Sequence, residues 1–179
     1  MKIYRLGTPS DKKGNPVSQL ICIGKGYSLL EWRFSARGNR KKSLETYISP
    51  DWYWCGKKRW PTSDHPDGAV PGELFSQKAV NALSGLFDLE NGDFFDLKND
   101  NAEKYVMYII WNRFDVVDME RPDIACGQLQ TPVKMKIGYH TPPIFKSYHE
   151  NTIWVTEEFK SAVESAGLTG FKFDFLGET

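Results

Sequence analysis

The strongest local instruction in the chain lies near its C-terminus, in residues 153–175. Ile153-Trp154-Val155 reads as a short strand. Thr156 offers an N-cap hydroxyl, and Glu157 and Glu158 follow in the first turn, where the helix dipole favours negative charge. Phe159, Ala162, Val163 and Ala166 recur at helical spacing, and Gly167 supplies the stop just past the helix end. Phe171, Phe173 and Phe175 then alternate with Lys172 and Asp174, the two-residue period of a strand. A strand–helix–strand unit must be completed by a sheet. The expected fold is therefore α+β: a mixed, mainly antiparallel sheet with a few helices, closed by this C-terminal unit.

Upstream the signals are shorter. Lys2–Leu6 and Gln19–Ile23 read as strands, separated by a loop over Thr8–Pro16. Tyr27–Phe34 reads as a further strand and Arg37–Lys42 as a basic turn. Residues 50–72, PDWYWCGKKRWPTSDHPDGAVPG, are dense in Pro, Gly, Asp and Trp and show no period. A loop of that length in a compact domain is usually functional or disordered, and its three Trp argue against disorder. Ser76 caps a predicted helix carrying Ala79, Val80, Leu83, Leu86 and Phe87, and Asn91-Gly92 is a turn. Phe94–Leu97 and Lys104–Trp111 read as strands, the second apolar enough to be central in a sheet. Phe114–Val117 either continues it or pairs beside it. Residues 118–132 read as an acidic loop, and Val133–Tyr139, alternating apolar residues with Lys, as a half-buried strand.

Composition narrows the function classes. The 179 residues suit a single domain over 1–179, with a strand-rich part at 1–44. A hydrophobic content of 40% excludes a disordered chain. No apolar run approaches the length of a membrane helix, and MKIYRLGTPS lacks the apolar core of a secretory signal, so a cytoplasmic protein without membrane contact is expected. Cys22, Cys55 and Cys126 are an odd, scattered set and read as thiols. Zero net charge hides an asymmetry: residues 1–62 hold 13 Lys/Arg against 4 Asp/Glu, and residues 63–179 hold 10 against 19. Either the two halves pair within one fold, or the molecule has a basic and an acidic face that steer a charged partner.

Few constellations carry chemistry. His140 and His149 stand nine apart across a Pro-Pro pair, which is no metal-ligand spacing, so neither a metal nor another cofactor is expected. His65 lies between Asp64 and Asp67. A general base is one reading and a surface turn the plainer one. Cys55, followed by Lys57, Lys58 and Arg59, reads as an activated thiol or as a small buried hydrophobe. Basic residues from Arg33 to Arg59 interleave with Trp32, Phe34, Trp52 and Trp54. That pattern suits single-stranded nucleic acid, but zero net charge and the lack of a known binding signature count against it. Trp52, Tyr53, Trp54 and Trp60 also suit a protein–protein hot spot.

The string IWVTEEFKSAVESAGLTGFKF resembles the ending of a bacterial immunity-protein family found with polymorphic toxins. Val155, Thr156, Glu157, Phe159, Lys160, Ala162, Val163, Glu164, Ala166, Gly167, Leu168, Thr169, Gly170 and Phe173 carry the likeness. Upstream, FSQKAVNAL resembles the family's capped helix. YVMYIIWNRFDVVDME resembles its strand, anchored on Val116, Val117 and Asp118, and HTPPIFKSYHENTIWV resembles the segment before the final unit. The likeness spans roughly residues 45–176.

This resemblance implies a non-enzymatic antidote. It would bind a cognate toxin domain encoded next to it, with specificity set by surface loops. A toxin acting in the cytosol, such as a nuclease, is the expected target. Two contact surfaces are expected. One is the 50–72 loop, through Trp52, Trp54, Trp60, Asp64, His65 and Asp67. The other is an acidic contact through Asp115, Asp118, Glu120 and Asp123, which would speed association with a basic toxin. The alternatives are an enzyme that reverses the toxin's modification, using His65 or Cys55, and a nucleic-acid-binding module on the basic N-terminal third.

Overall fold

The computed structural model describes residues 1–15, 19–22, 39–47, 51–54, 63–68, 72–99, 104–118, 124–125, 128–129, 131–138 and 140–179. Its strands are β1 (Lys2–Gly7), β2 (Gln19–Cys22), β3 (Asp51–Trp54), β4 (Asp67–Gly68), β5 (Glu73–Ser76), β6 (Gly92–Asn99), β7 (Tyr105–Ile110), β8 (Arg113–Phe114), β9 (Ile124–Ala125), β10 (Gln128–Leu129), β11 (Ile144–Ser147), β12 (Ile153–Thr156) and β13 (Lys172–Glu178). Its helices are α1 (Arg40–Thr46), α2 (Gln77–Ala82) and α3 (Glu157–Ser165).

The fold is α+β, with two main sheets where the sequence pattern suggested one. The first has the order β13-β1-β12-β11-β8 and the second β4-β2-β3-β6-β7-β5, and β9 and β10 form a separate small ladder. Most pairings are antiparallel. The exceptions are β8 with β11, β2 with β4, and β3 with β6, which run parallel.

The C-terminal unit forms as its sequence dictates. The Thr156 hydroxyl accepts from the Phe159 amide at 3.4 Å. The far end of α3 closes with paired bonds, Gly167 N to Glu164 O at 3.1 Å and Leu168 N to Val163 O at 3.2 Å, with Gly167 at φ +58°. That is the left-handed closure a glycine makes possible. Phe159 and Val163 are buried, whereas Ala166, expected in the same apolar stripe, caps the helix and is exposed.

The two strands of this unit do not pair with each other. β1 lies between them, antiparallel to both, with Tyr4 opposite Val155 on one side and Phe175 on the other. Ile3 pairs with Gly177, so Leu176 is an extra residue, a bulge. Phe173 packs toward the core shared with Phe159 and Val163, whereas Leu176, three residues on and so on the opposite face, joins Ile3 and Trp154, and Phe175 is 43% exposed.

That shared core holds Tyr4, Leu6 and Val155 from the first sheet, Val106, Tyr108 and Ile110 from the second, and Ala79, Leu83 and Phe159 from the helical regions. The six residues of β7 are all buried because its opposite face packs separately, Tyr105, Met107 and Ile109 against Leu74, Phe95 and Leu97. Both faces covered is what a continuous apolar run in a strand requires.

Several expectations are corrected. Residues 113–114 leave β7 and join the first sheet beside β11. Arg40–Lys42 are the first turn of a helix, not a basic turn. Asn39 caps it by accepting from Lys42 N at 3.0 Å, and Arg40 makes a paired contact with Asp93 at 2.7 and 2.9 Å. Residues 51–54, expected inside an aperiodic loop, form a strand paired to β2 and β6. The acidic 118–132 loop contains the β9–β10 ladder. Helix α2 starts at its Ser76 cap as expected and stops at Ala82; Phe87 is buried from the turns beyond it. Of the expected strand Val133–Tyr139, the described residues 133–138 form no strand. Val133 and Met135 are buried as the alternation predicts, but pairing is limited to a bridge from Met135 to Val117. The expected strand at Tyr27–Phe34 lies outside the described residues.

Candidate functional site

The sequence-nominated residues separate into two regions of opposite character. The first is a buried clasp. Asp64 lies in the short segment before β4. One carboxylate oxygen accepts from the Ser76 hydroxyl at 2.7 Å, while that hydroxyl in turn caps α2 by accepting from Ala79 N at 3.0 Å. The other oxygen accepts from Thr169 N at 2.9 Å and Thr169 Oγ1 at 3.2 Å, with Lys78 Nζ at 3.5 Å. Burial pushes the Asp64 carboxyl up, but the Thr169 and Ser76 hydrogen bonds together with Lys78 outweigh it and hold the group below the usual carboxylate range. The backbone doubles the link: Asp64 N and His65 N both donate to Thr169 O.

His65 completes the clasp. Its ring is 0% exposed and stacks on Phe171 at 4.8 Å between centroids. Nδ1 lies 3.3 Å from Gly170 O and Nε2 2.9 Å from Glu73 Oε2. Gly170 has φ +84°, and a Cβ there would stand 2.6 Å from Ser63 Oγ and 2.7 Å from His65 O. Only glycine satisfies both the angle and the approach. A pocket of about 130 Å³ opens beside the clasp, lined by Thr8, Pro66, Asp67, Gly68, Gly72, Glu73 and Leu74. Glu73 reaches it, and His65 is not among its lining residues. The histidine expected on an exposed contact loop is therefore a core residue, with no surface to offer a partner or a substrate. Asp64 is likewise buried at 8% exposure, and Asp67 is half-buried at the pocket.

The second region is an exposed ion ladder. Residues 116–118 run beside 134–136, with Lys136 N donating to Val116 O and Asp118 N to Lys134 O, both at 2.9 Å. Across this strip Asp118 accepts from Lys134 at 2.8 Å and Asp115 from Lys136 at 2.6 Å, with His149 Nε2 3.3 Å from Asp115. Lys136 and His149 hold the Asp115 carboxyl low, and Asp118 raises Lys134. Asp115 and Asp118, two of the four residues of the expected acidic contact, are on the surface, and each is matched by a lysine. Two large apolar residues adjacent in sequence to the ladder are exposed: Ile137, 91% exposed and next to Lys136 in the chain, and Tyr148, 64% exposed and next to His149 in the chain.

Of the remaining nominated residues, Trp52 and Trp54 lie in β3. Trp60, Glu120, Asp123 and Cys55 lie outside the described residues, as do the basic residues Arg33, Arg37, Lys57, Lys58 and Arg59. Among the described residues no group of three or more His, Cys, Asp or Glu is placed to hold a metal ion, and no helix is long and apolar enough to cross a membrane.

Sequence reasoning missed Ile137 and Tyr148. The alternation Val133, Met135, Ile137 points all three inward. Gly138, at φ +73°, was the signal that the alternation ends in a turn. It missed Glu73 for lack of any local pattern. No protein-family model matches the chain, and no curated protein matches it.

Proposed function

We propose that this protein is an antidote that binds and neutralises a cognate bacterial toxin by protein–protein contact, without chemistry of its own. The observation that carries the reading is the ladder face. Ile137 and Tyr148 are exposed and directly follow or precede Lys136 and His149 of the ladder in sequence, and large exposed apolar side chains with polar neighbours are what an interface uses. The C-terminal motif resemblance supplies the class of partner, and the burial of His65 counts against its use as a base by a reversing enzyme.

The test is co-purification of the tagged chain with the protein encoded immediately upstream, followed by co-expression. A stable complex with rescue of growth supports the antidote. Rescue at substoichiometric levels points instead to an enzyme that reverses the damage. The absence of both complex and rescue overturns the proposal. Salt-sensitive retention on single-stranded DNA would then favour the nucleic-acid reading.

A further inference from the structure

His65 is fully enclosed, and both of its ring nitrogens face oxygen. Nε2 lies 2.9 Å from Glu73 Oε2, and Nδ1 lies 3.3 Å from Gly170 O. A backbone carbonyl only accepts, and so does an ionised carboxylate, whereas a neutral imidazole has one N–H to give. If Nε2 carries that hydrogen, the Nδ1 lone pair points at the lone pairs of the Gly170 carbonyl, and two buried acceptors are left without a donor between them. Both contacts are satisfied when Nδ1 carries a proton and a second proton lies in the Nε2–Oε2 contact, on the ring or on the carboxyl. The two side chains then hold one proton more than a neutral ring beside a carboxylate, and that proton belongs to the pair rather than to either residue.

The surroundings suit such a pair. β5 presents Glu73 to the ring together with the apolar Phe75, and the 169–171 turn presents the Gly170 carbonyl and the apolar Phe171. On the segment that carries His65, Asp64 is held by Ser76, Thr169 and Lys78, and Asp67 lines the pocket. Half-buried Glu73 lines that pocket as well, so its carboxyl is the end of the pair through which a proton leaves to solvent.

We infer that His65 and Glu73 form a proton-held lock: Nδ1 carries one proton for the Gly170 carbonyl, a second lies between Nε2 and Oε2, and the clasp loosens when the pair gives one of them up. No partner enters this inference, which stands apart from the antidote reading.

The test uses the full-length chain. At about pH 7, NMR correlation of ring nitrogens with their hydrogens is expected to show a proton on His65 Nδ1; a bare Nδ1 overturns the inference. Denaturant unfolding from about pH 6.5, the ordinary imidazole value, to about pH 9 is the second readout. Over this range the fold keeps a proton that the unfolded chain releases, so the pair's contribution is complete below it and is lost as pH rises. The wild-type folded-to-unfolded ratio is expected to drop by as much as about tenfold per pH unit. Glu73→Gln keeps both contacts without the extra proton, because its amide N–H meets a bare Nε2 while Nδ1–H stays on Gly170, and its ratio should stay level. A wild-type ratio that does not fall, or a variant ratio that falls alongside it, overturns the inference. Should Glu73→Gln fail to fold, the Nδ1 proton and the wild-type slope decide.

Discussion

Asp64 and Asp115 each sit beside a lysine and near a histidine, and both carboxyls are held below their ordinary range. Their surroundings differ. Asp64 is buried and accepts hydrogen bonds from Ser76 and Thr169, so it joins two parts of the fold that are 105 residues apart in sequence. Asp115 is half open to water and touches two flexible side chains that water can replace. A buried acceptor that loses its donors leaves them unsatisfied, whereas an exposed pair exchanges protein partners for solvent at little cost. Identical residue types therefore serve the fold in one region and the surface in the other.

Breaking the clasp should have the largest effect. Asp64→Ala strands the Ser76 hydroxyl and the Thr169 amide and is expected to cost about 3 kcal/mol of stability. Denaturant unfolding checks this, and a loss below about 1 kcal/mol would mean that the clasp is not structural. Gly170→Ala attacks the same region through its backbone. It combines a left-handed φ with a collision against His65 O, for an expected loss of about 2 kcal/mol.

Acid sharpens the contrast. Because the Asp64 carboxyl is lowered in the folded state, the stability it contributes is complete above the unfolded value near 3.8 and is lost as pH falls through the lower folded value. Asp64→Asn should therefore flatten the loss of stability below about pH 4. Asp115→Asn should leave the acid limb of the curve unchanged at moderate salt, since its shift comes from exposed, screened partners. The smallest effect belongs to the ladder. A double-mutant cycle on Asp115→Ala and Lys136→Ala should give a coupling near zero that salt removes entirely, and a large salt-resistant coupling would contradict the distinction.

The region that was easiest to read is also the one that shows where reading stopped. Thr156, the Glu157-Glu158 pair, Gly167 and the Phe171–Phe173 alternation act through neighbours a few residues away. Caps, dipole and period therefore specified strand, helix, stop and strand without help from the rest of the chain. The helix start at Ser76 and the buried strand at Tyr105–Ile110 were legible for the same reason.

What lies between β12 and β13 was decided by β1, whose residues arrive from the other end of the chain. Its pairing depends on edge hydrogen bonds and apolar faces that meet only after folding. The burial of His65 follows from contacts with Glu73, Gly170 and Phe171 that no spacing announces. The exposure of Ile137 belongs to a segment that pairs only at the Met135–Val117 bridge and then turns at Gly138. Local signals therefore set this chain's elements and its α+β class. Which polar residues hold the fold and which lie on the surface was settled by tertiary burial, because desolvation depends on everything packed around a side chain and not on its neighbours in sequence.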